Sequence, residues 1–231
     1  MHTRKCSEAY QRAYRALAAA RNLEENSTSL LKELFDNQKL IRRTEGIIAR
    51  EIKGRGSGGD NRYRFMGSIT HKGFVWCFDT VESLCPRIYH LYDNFGFASP
   101  MLEHILTAAN AKGYSAIICP NTERVNLIHH LLIPELGIAF LTVNSDMKCT
   151  CKSYRRIHLD AMVDQTQKNR WKGRLRFLEK MIRTLREDGI TALKEAKESH
   201  DALEAVYRPN VDFKGIDQLT TLEIKRMESY L

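Results

Sequence analysis

Apolar residues recur at helical spacing through residues 5–53: Tyr10, Tyr14 and Leu17, then Leu30, Leu31 and Leu34, then Ile41, Ile48 and Ile52. Alanine, leucine, arginine and glutamate fill the positions between them, so the stretch is predicted to form an αα-hairpin. Asn26-Ser27-Thr28-Ser29 interrupts the pattern and is expected to end one helix and cap the next, with a kink near Gly46. Residues 54–60, GRGSGGD, have no apolar position at all and are expected as a flexible linker.

From residue 61 the period changes. FMGSI and GFVWCF are predicted as short strands, and Arg87–Tyr92 as another. The loop Asp93–Ser99 leads into a helix from Pro100 to about Lys112, stopped by Gly113. Ser115–Cys119 is predicted as a strand, Val125–His130 as a short helix and IAFLTV, ending at Val143, as a buried strand. Strands alternating with helices imply a largely parallel sheet covered by helices over residues 61–147. Residues 148–231 are predicted to be helical, with a short amphipathic helix after Pro209. A faint internal repeat, Ala16-Leu17 to Ala20-Arg21 against Ala192-Leu193 to Ala196-Lys197, falls in two of these helices.

Composition narrows the setting. The 231 residues carry a net charge of +8, which calls for a local explanation or for a polyanionic partner: nucleic acid, anionic lipid or nucleotide. No run approaches the ~20 uncharged apolar residues of a membrane span. No apolar segment follows the basic N-terminus as in a secretory signal. The six cysteines have no regular spacing and are expected as reduced thiols, which implies a cytoplasmic location and no membrane partner.

Four stretches carry a family resemblance: RFMGSITHKGFVWCFDTV, RIYHLYDNFGFASPMLEHI, HHLLIPELGIAFLTVNS and YRPNVDF. Together they resemble a family of bacterial ATPase-like proteins built as a tandem duplication of a P-loop NTPase domain. In that family each half opens with a segment like Gly67–Thr80. A strand and phosphate loop follow, then a helix, an IPEL strand like Ile133–Leu136 and a helical tail. The order here is similar to the second half, and the N-terminal helices, with RAYRALAAAR, resemble the tail of the first. The resemblance implies an α/β, P-loop NTPase-like fold with a mainly parallel sheet flanked by helices and helical segments at both ends. It also implies ATP as ligand and Mg²⁺ as cofactor. A protein partner or a second copy is then expected to supply an intact P-loop half, and the chain is expected to be a truncated or split product.

The loop departs from a working P-loop, G-x-x-x-x-G-K-[ST], whose lysine reaches the β/γ-phosphates and whose hydroxyl binds Mg²⁺. With Ser99 as that hydroxyl, Ala98 occupies the lysine position, and Phe97 and Tyr92 the glycine positions. With Ser99 in the lysine position, Pro100 replaces the hydroxyl. Lys112 would lie about 20 Å away along the helix. Asp93, Asn94, Gly96, Ala98 and Ser99 are the candidate nucleotide-binding residues, at a helix N-terminus that favours an anion.

Other chemistry is thinner. Cys149-Thr150-Cys151 and the neighbouring His129-His130 offer zinc-ligand types, but without the second matched pair of a structural site. No G-x-S-x-G elbow occurs. Glu135 and Asp146 are candidate acidic site residues, each with a structural alternative at a bend or turn; Asp79 is a turn acid or a metal ligand. The run Lys148 to Arg186 is rich in Lys and Arg, with Tyr154 and Trp171 interleaved, a pattern that suits a phosphate backbone or a solvated helix face. The expected function is a degenerate P-loop-type domain acting as a non-catalytic or regulatory partner. The alternatives are an ATP-binding protein with weak or partner-assisted hydrolysis and a basic nucleic-acid-binding protein.

Overall fold

The computed structural model describes residues 2–58, 60–145, 147 and 149–230. Two helices, α1 (His2–Lys32) and α2 (Asn37–Glu51), open the chain. Strands β1 (Arg62–Tyr63), β2 (Gly67–Thr70) and β3 (Gly73–Trp76) follow, then the one-turn helix α3 (Val81–Leu84). Next come β4 (Arg87–Tyr92), α4 (Ala98–Ala111), β5 (Ile117–Pro120), β6 (Ile128–Ile133), β7 (Ile138–Val143) and β8 (Arg155–His158). Helices α5 (Gln165–Arg170), α6 (Lys172–Tyr207) and α7 (Phe213–Glu228) close the order.

The fold is α/β, with a six-stranded, mainly parallel sheet in the order β1-β5-β6-β7-β4-β8. Only β6 runs antiparallel to its neighbours. The hairpin β2-β3 forms a separate small sheet. Side chains alternate across the strands. Tyr89, Leu91, Leu131 and Phe140 face a core shared with Leu31, Leu40, Ile47, Leu102 and Ile105 of the helices. Ile88, Leu132, Ala139 and Leu141 face the other way, onto Met66, Phe78, Val81 and Met147. Burial on both faces explains why β7 is a continuous apolar run.

Several expectations change. The helix α1 continues through Asn26–Ser29, because Thr28 donates its hydroxyl to the Glu24 carbonyl one turn back and to the Phe95 carbonyl rather than capping a new helix. The break falls after Lys32, and Asp36 caps α2 by accepting from the Lys39 N–H. Gly46 lies within the uninterrupted α2. Val125–His130 is not a helix, since Ile128 begins the antiparallel strand β6. Within the stretch read as wholly helical after residue 148 lies β8, an edge strand with only Ile157 buried. The stretch expected as a flexible linker is tied down at Gly56–Gly58, which lie against the turn after α4: Gly56 N–H donates to Lys112 O at 2.9 Å and Gly58 N–H to Gly113 O at 3.0 Å. A Cβ at Gly56 would stand 2.3 Å from Gly113 O, so the two backbones touch only because this residue is glycine.

The helix α6 runs antiparallel to α1. Arg12 pairs with Glu195 at 2.6 Å and, further along, Arg186 pairs with Glu24 at 2.6 Å. The two alanine-rich segments that resemble one another are the two sides of this seam: Ala13, Ala20, Ala192 and Ala196 are fully buried, and Gly189 rests on Leu17. Small side chains let the helix axes approach closely. Among the described residues, no helix is long and apolar enough to cross a membrane.

Candidate functional site

The strand β4 lies between β7 and β8, parallel to both, and its C-terminal end delivers the chain into the loop 93–97. Asp93, Asn94, Gly96, Ala98 and Ser99 are thereby brought together. The helix begins at Ala98, two residues before the expected Pro100.

The loop closes on itself. One carboxylate oxygen of Asp93 accepts the N–H of Phe95 at 3.2 Å and of Gly96 at 2.9 Å, and the other accepts the N–H of Ala98 at 2.7 Å. These are the backbone donors that a helix N-terminus offers an incoming anion. Asp93 is buried, and burial pushes its carboxyl above the ordinary range; the N–H groups of Phe97 and Ala98 pull the other way, and the nearby Asp160 charge adds to the rise. Gly96 has φ of +81°, a backbone state suited to glycine.

Neighbouring elements hold each loop residue. Asn94 donates from its backbone and side-chain nitrogens to Asp160 at 3.0 and 2.6 Å, and its side-chain oxygen accepts from Ser145 N–H at 2.9 Å. The Phe95 carbonyl accepts from Thr28 at 2.7 Å, and its ring lies 4.4 Å beneath the Lys168 ammonium. Phe97 is buried and stacks on Phe35 at 4.1 Å. Ala98 is 3% exposed and belongs to the main core. Ser99 donates its hydroxyl to Glu103 at 2.8 Å and accepts from the Ile128 N–H at 3.0 Å, so both its hydrogen-bonding roles are taken within the fold.

Glu135 is not part of this cluster. It lies at the opposite end of the sheet, where its carboxylate accepts from the Ser57 N–H at 3.1 Å and hydroxyl at 3.0 Å and from the Ser115 N–H at 3.4 Å. The Ser57 hydrogen bonds hold its pKa below the usual range. The acid ties Ser57 to Ser115, just ahead of β5. Asp146 lies outside the described residues. Lys112 is at the far end of α4, donating to Ile52 O at 2.5 Å. Asp79 is exposed in the turn before α3.

The cysteine and histidine candidates do not converge. His130 accepts the Thr142 N–H at 3.1 Å and is boxed by Trp76 and Phe78. Burial lowers both histidines, His129 to about 4 and His130 well below its ordinary value, so each is neutral at pH 7. Cys149 Sγ lies 3.7 Å from His90 Nε2, while burial raises Cys149 and takes Cys151 to about 12, away from the thiolate that a metal selects. Among the described residues, the only three-ligand grouping is the exposed set His200, Asp201 and Glu204 on α6.

Thr28, Arg124, Asp160 and Lys168 also shape the loop. The Arg124 guanidinium sits 3.2 Å from where a Cβ on Gly96 would be and 3.9 Å from Glu24. These four come from α1, the β5–β6 connection, the turn after β8 and α5, and no local sequence signal links them to residues 93–97.

The fold and the loop thus define an α/β protein with a strand–loop–helix whose anion-binding donors are satisfied from within. No protein-family model, curated protein or solved structure matches the chain.

Proposed function

We propose that this chain is a degenerate P-loop NTPase-like domain that binds no nucleotide in its own loop and serves as a non-catalytic or regulatory partner. The observation that carries the reading is the Asp93 carboxylate seated on the N–H groups of Phe95, Gly96 and Ala98. A phosphate would have to displace it and leave a buried carboxyl without partners, which costs several kcal/mol by order of magnitude. The engaged Ser99 hydroxyl and the buried Ala98 support the same reading, since neither is placed to hold Mg²⁺ or to be replaced by a reaching lysine. The position of β4 between two parallel strands, with the loop at its C-terminal end, supports the P-loop-like resemblance.

A second reading, ATP binding with weak or partner-assisted hydrolysis, has Arg124 in its favour. Its guanidinium lies beside Gly96, and its buried Nε has no hydrogen-bond partner.

Thermal unfolding with and without Mg²⁺-ATP separates the two. A ligand at a hundred times its Kd stabilises a protein by about 2.7 kcal/mol. The expected outcome is no shift in melting temperature at millimolar ATP. A concentration-dependent rise that Arg124→Ala abolishes would establish the second reading instead.

A further inference from the structure

The net positive charge is concentrated at one corner of the molecule. Between Gln165 and Arg183 stand seven Lys and Arg against one Glu, a surplus of six out of the whole chain's eight. Lys172, Arg176 and Lys180 follow one another at four-residue steps, with Arg183 next, so they line one edge of α6 over about 16 Å. All four are exposed. Arg183 is tied to Glu179 at 3.1 Å, whereas Lys172, Arg176 and Lys180 have no carboxylate within ion-pair distance among the described residues.

Two aromatic rings accompany this edge. Trp171, at the junction of α5 and α6, is 42% exposed, and Phe177 is 52% exposed with the Arg174 guanidinium 5.6 Å from its ring centre. Both rings leave about half of their surface open to solvent near these cations. Cations that track phosphates beside rings that stack on unpaired bases are the two components of single-stranded nucleic-acid binding. A membrane surface fits less well, because it needs a free apolar face opposite the charges. The apolar face of α6, including Leu178, Ile182, Ala192 and Ala196, is already buried, largely against α1.

We propose that the basic edge of α6 from Lys172 to Arg183, with Trp171 and Phe177, is a docking surface for single-stranded nucleic acid, read by backbone charge and base stacking rather than by sequence.

The test is fluorescence anisotropy of a labelled oligouridylate titrated with the full chain. Binding is expected at about 50 mM salt and should weaken roughly fifty-fold by about 200 mM, the slope for about four neutralised phosphates on a single strand. The double variant Arg176→Glu/Lys180→Glu should lose more than tenfold affinity and much of the salt dependence. Trp171→Ala should lose about five- to a hundred-fold, as for one base–aromatic stack, with the salt dependence retained. Circular dichroism confirms that each variant is folded. No anisotropy change at the lower salt overturns the proposal, as does wild-type affinity in both variants. Polyglutamate or phosphatidylserine vesicles binding as tightly, with Trp171→Ala without effect on the oligonucleotide, would assign the surface to an acidic protein or a lipid and likewise overturn it.

Discussion

Placing a lysine at position 98 tests directly whether the loop is one substitution away from a working phosphate loop. Ala98 is 3% exposed, its N–H is held by Asp93 at 2.7 Å, and it packs in the core cluster that includes Phe35, Phe97 and Met101. Ala98→Lys adds three carbons and an ammonium to that site. Overpacking costs about 1–3 kcal/mol. An ammonium withdrawn from water adds several kcal/mol unless it reaches solvent or pairs with Asp93, and pairing would pull Asp93 off its N–H donors. The sum is about 4 kcal/mol or more, a large part of the stability of a typical domain. For a chain of this size, that corresponds to a fall in melting temperature of roughly 8–16 °C. Circular dichroism melts of wild type and Ala98→Lys, each with and without Mg²⁺-ATP, are the assay. A variant that melts within a few degrees of wild type and is stabilised by ATP would refute the reasoning, because position 98 would then have room for a lysine and the loop would accept phosphate.

Three further outcomes follow from the packing. Gly56→Ala drives a Cβ into the backbone of Gly113 and Tyr114 and should cost about 2–4 kcal/mol in urea unfolding, with faster proteolysis near Arg55; unchanged stability would make residues 54–60 a free linker. Arg186 bridges the partly exposed Glu24 and the largely covered Glu123 at 2.6 and 2.5 Å, so Arg186→Ala, which leaves Glu123 without its cation, should destabilise by about 2–4 kcal/mol in urea unfolding. Burial would raise Glu51, but hydrogen bonds from Tyr89 and Arg50 and the charges of Arg87 and Arg50 hold it below its ordinary 4.5. Its folded pKa is depressed, so its stabilisation is complete above about pH 4.5 and is lost as pH falls through the lower folded value; the urea midpoint of Glu51→Gln should vary less over that acidic range.

The elements most legible in the sequence were those whose pattern is set by burial. β5 and β7 are apolar runs and β4 is buried at its four central residues because both faces of the sheet are covered, and α4 is bounded by a turn and Gly113. β8 was hidden because an edge strand with Arg155, Arg156 and His158 exposed has a single buried residue and no apolar run. β6 was hidden because His129 and His130 resemble polar helix positions, while burial actually keeps both rings neutral inside a strand. At the candidate site, the missing lysine was plain from residues 92–100. That Asp93 fills the loop was not, because an aspartate at that position reads equally as a ligand contact or a turn residue until the N–H groups it accepts are located. The supports Thr28, Arg124 and Asp160 depend on contacts across 28 to 67 residues, which no local pattern encodes.

The long helix α6 also sets a distance. It begins four residues after Lys168, which lies against the loop at Phe95, and its 36 residues run to Tyr207, a length of about 54 Å along the axis. Beyond that end lies α7, whose Phe213, Ile216, Leu219 and Leu222 are each about half exposed or more. The antiparallel α1, locked along the seam of small residues, stiffens this span against bending. The helix pair therefore acts as a ruler: whatever engages the C-terminal end of α6 is about 54 Å along the axis from the end that abuts α5, beyond the reach of any side chain, and a signal along it would travel by tilting or sliding the pair as a unit.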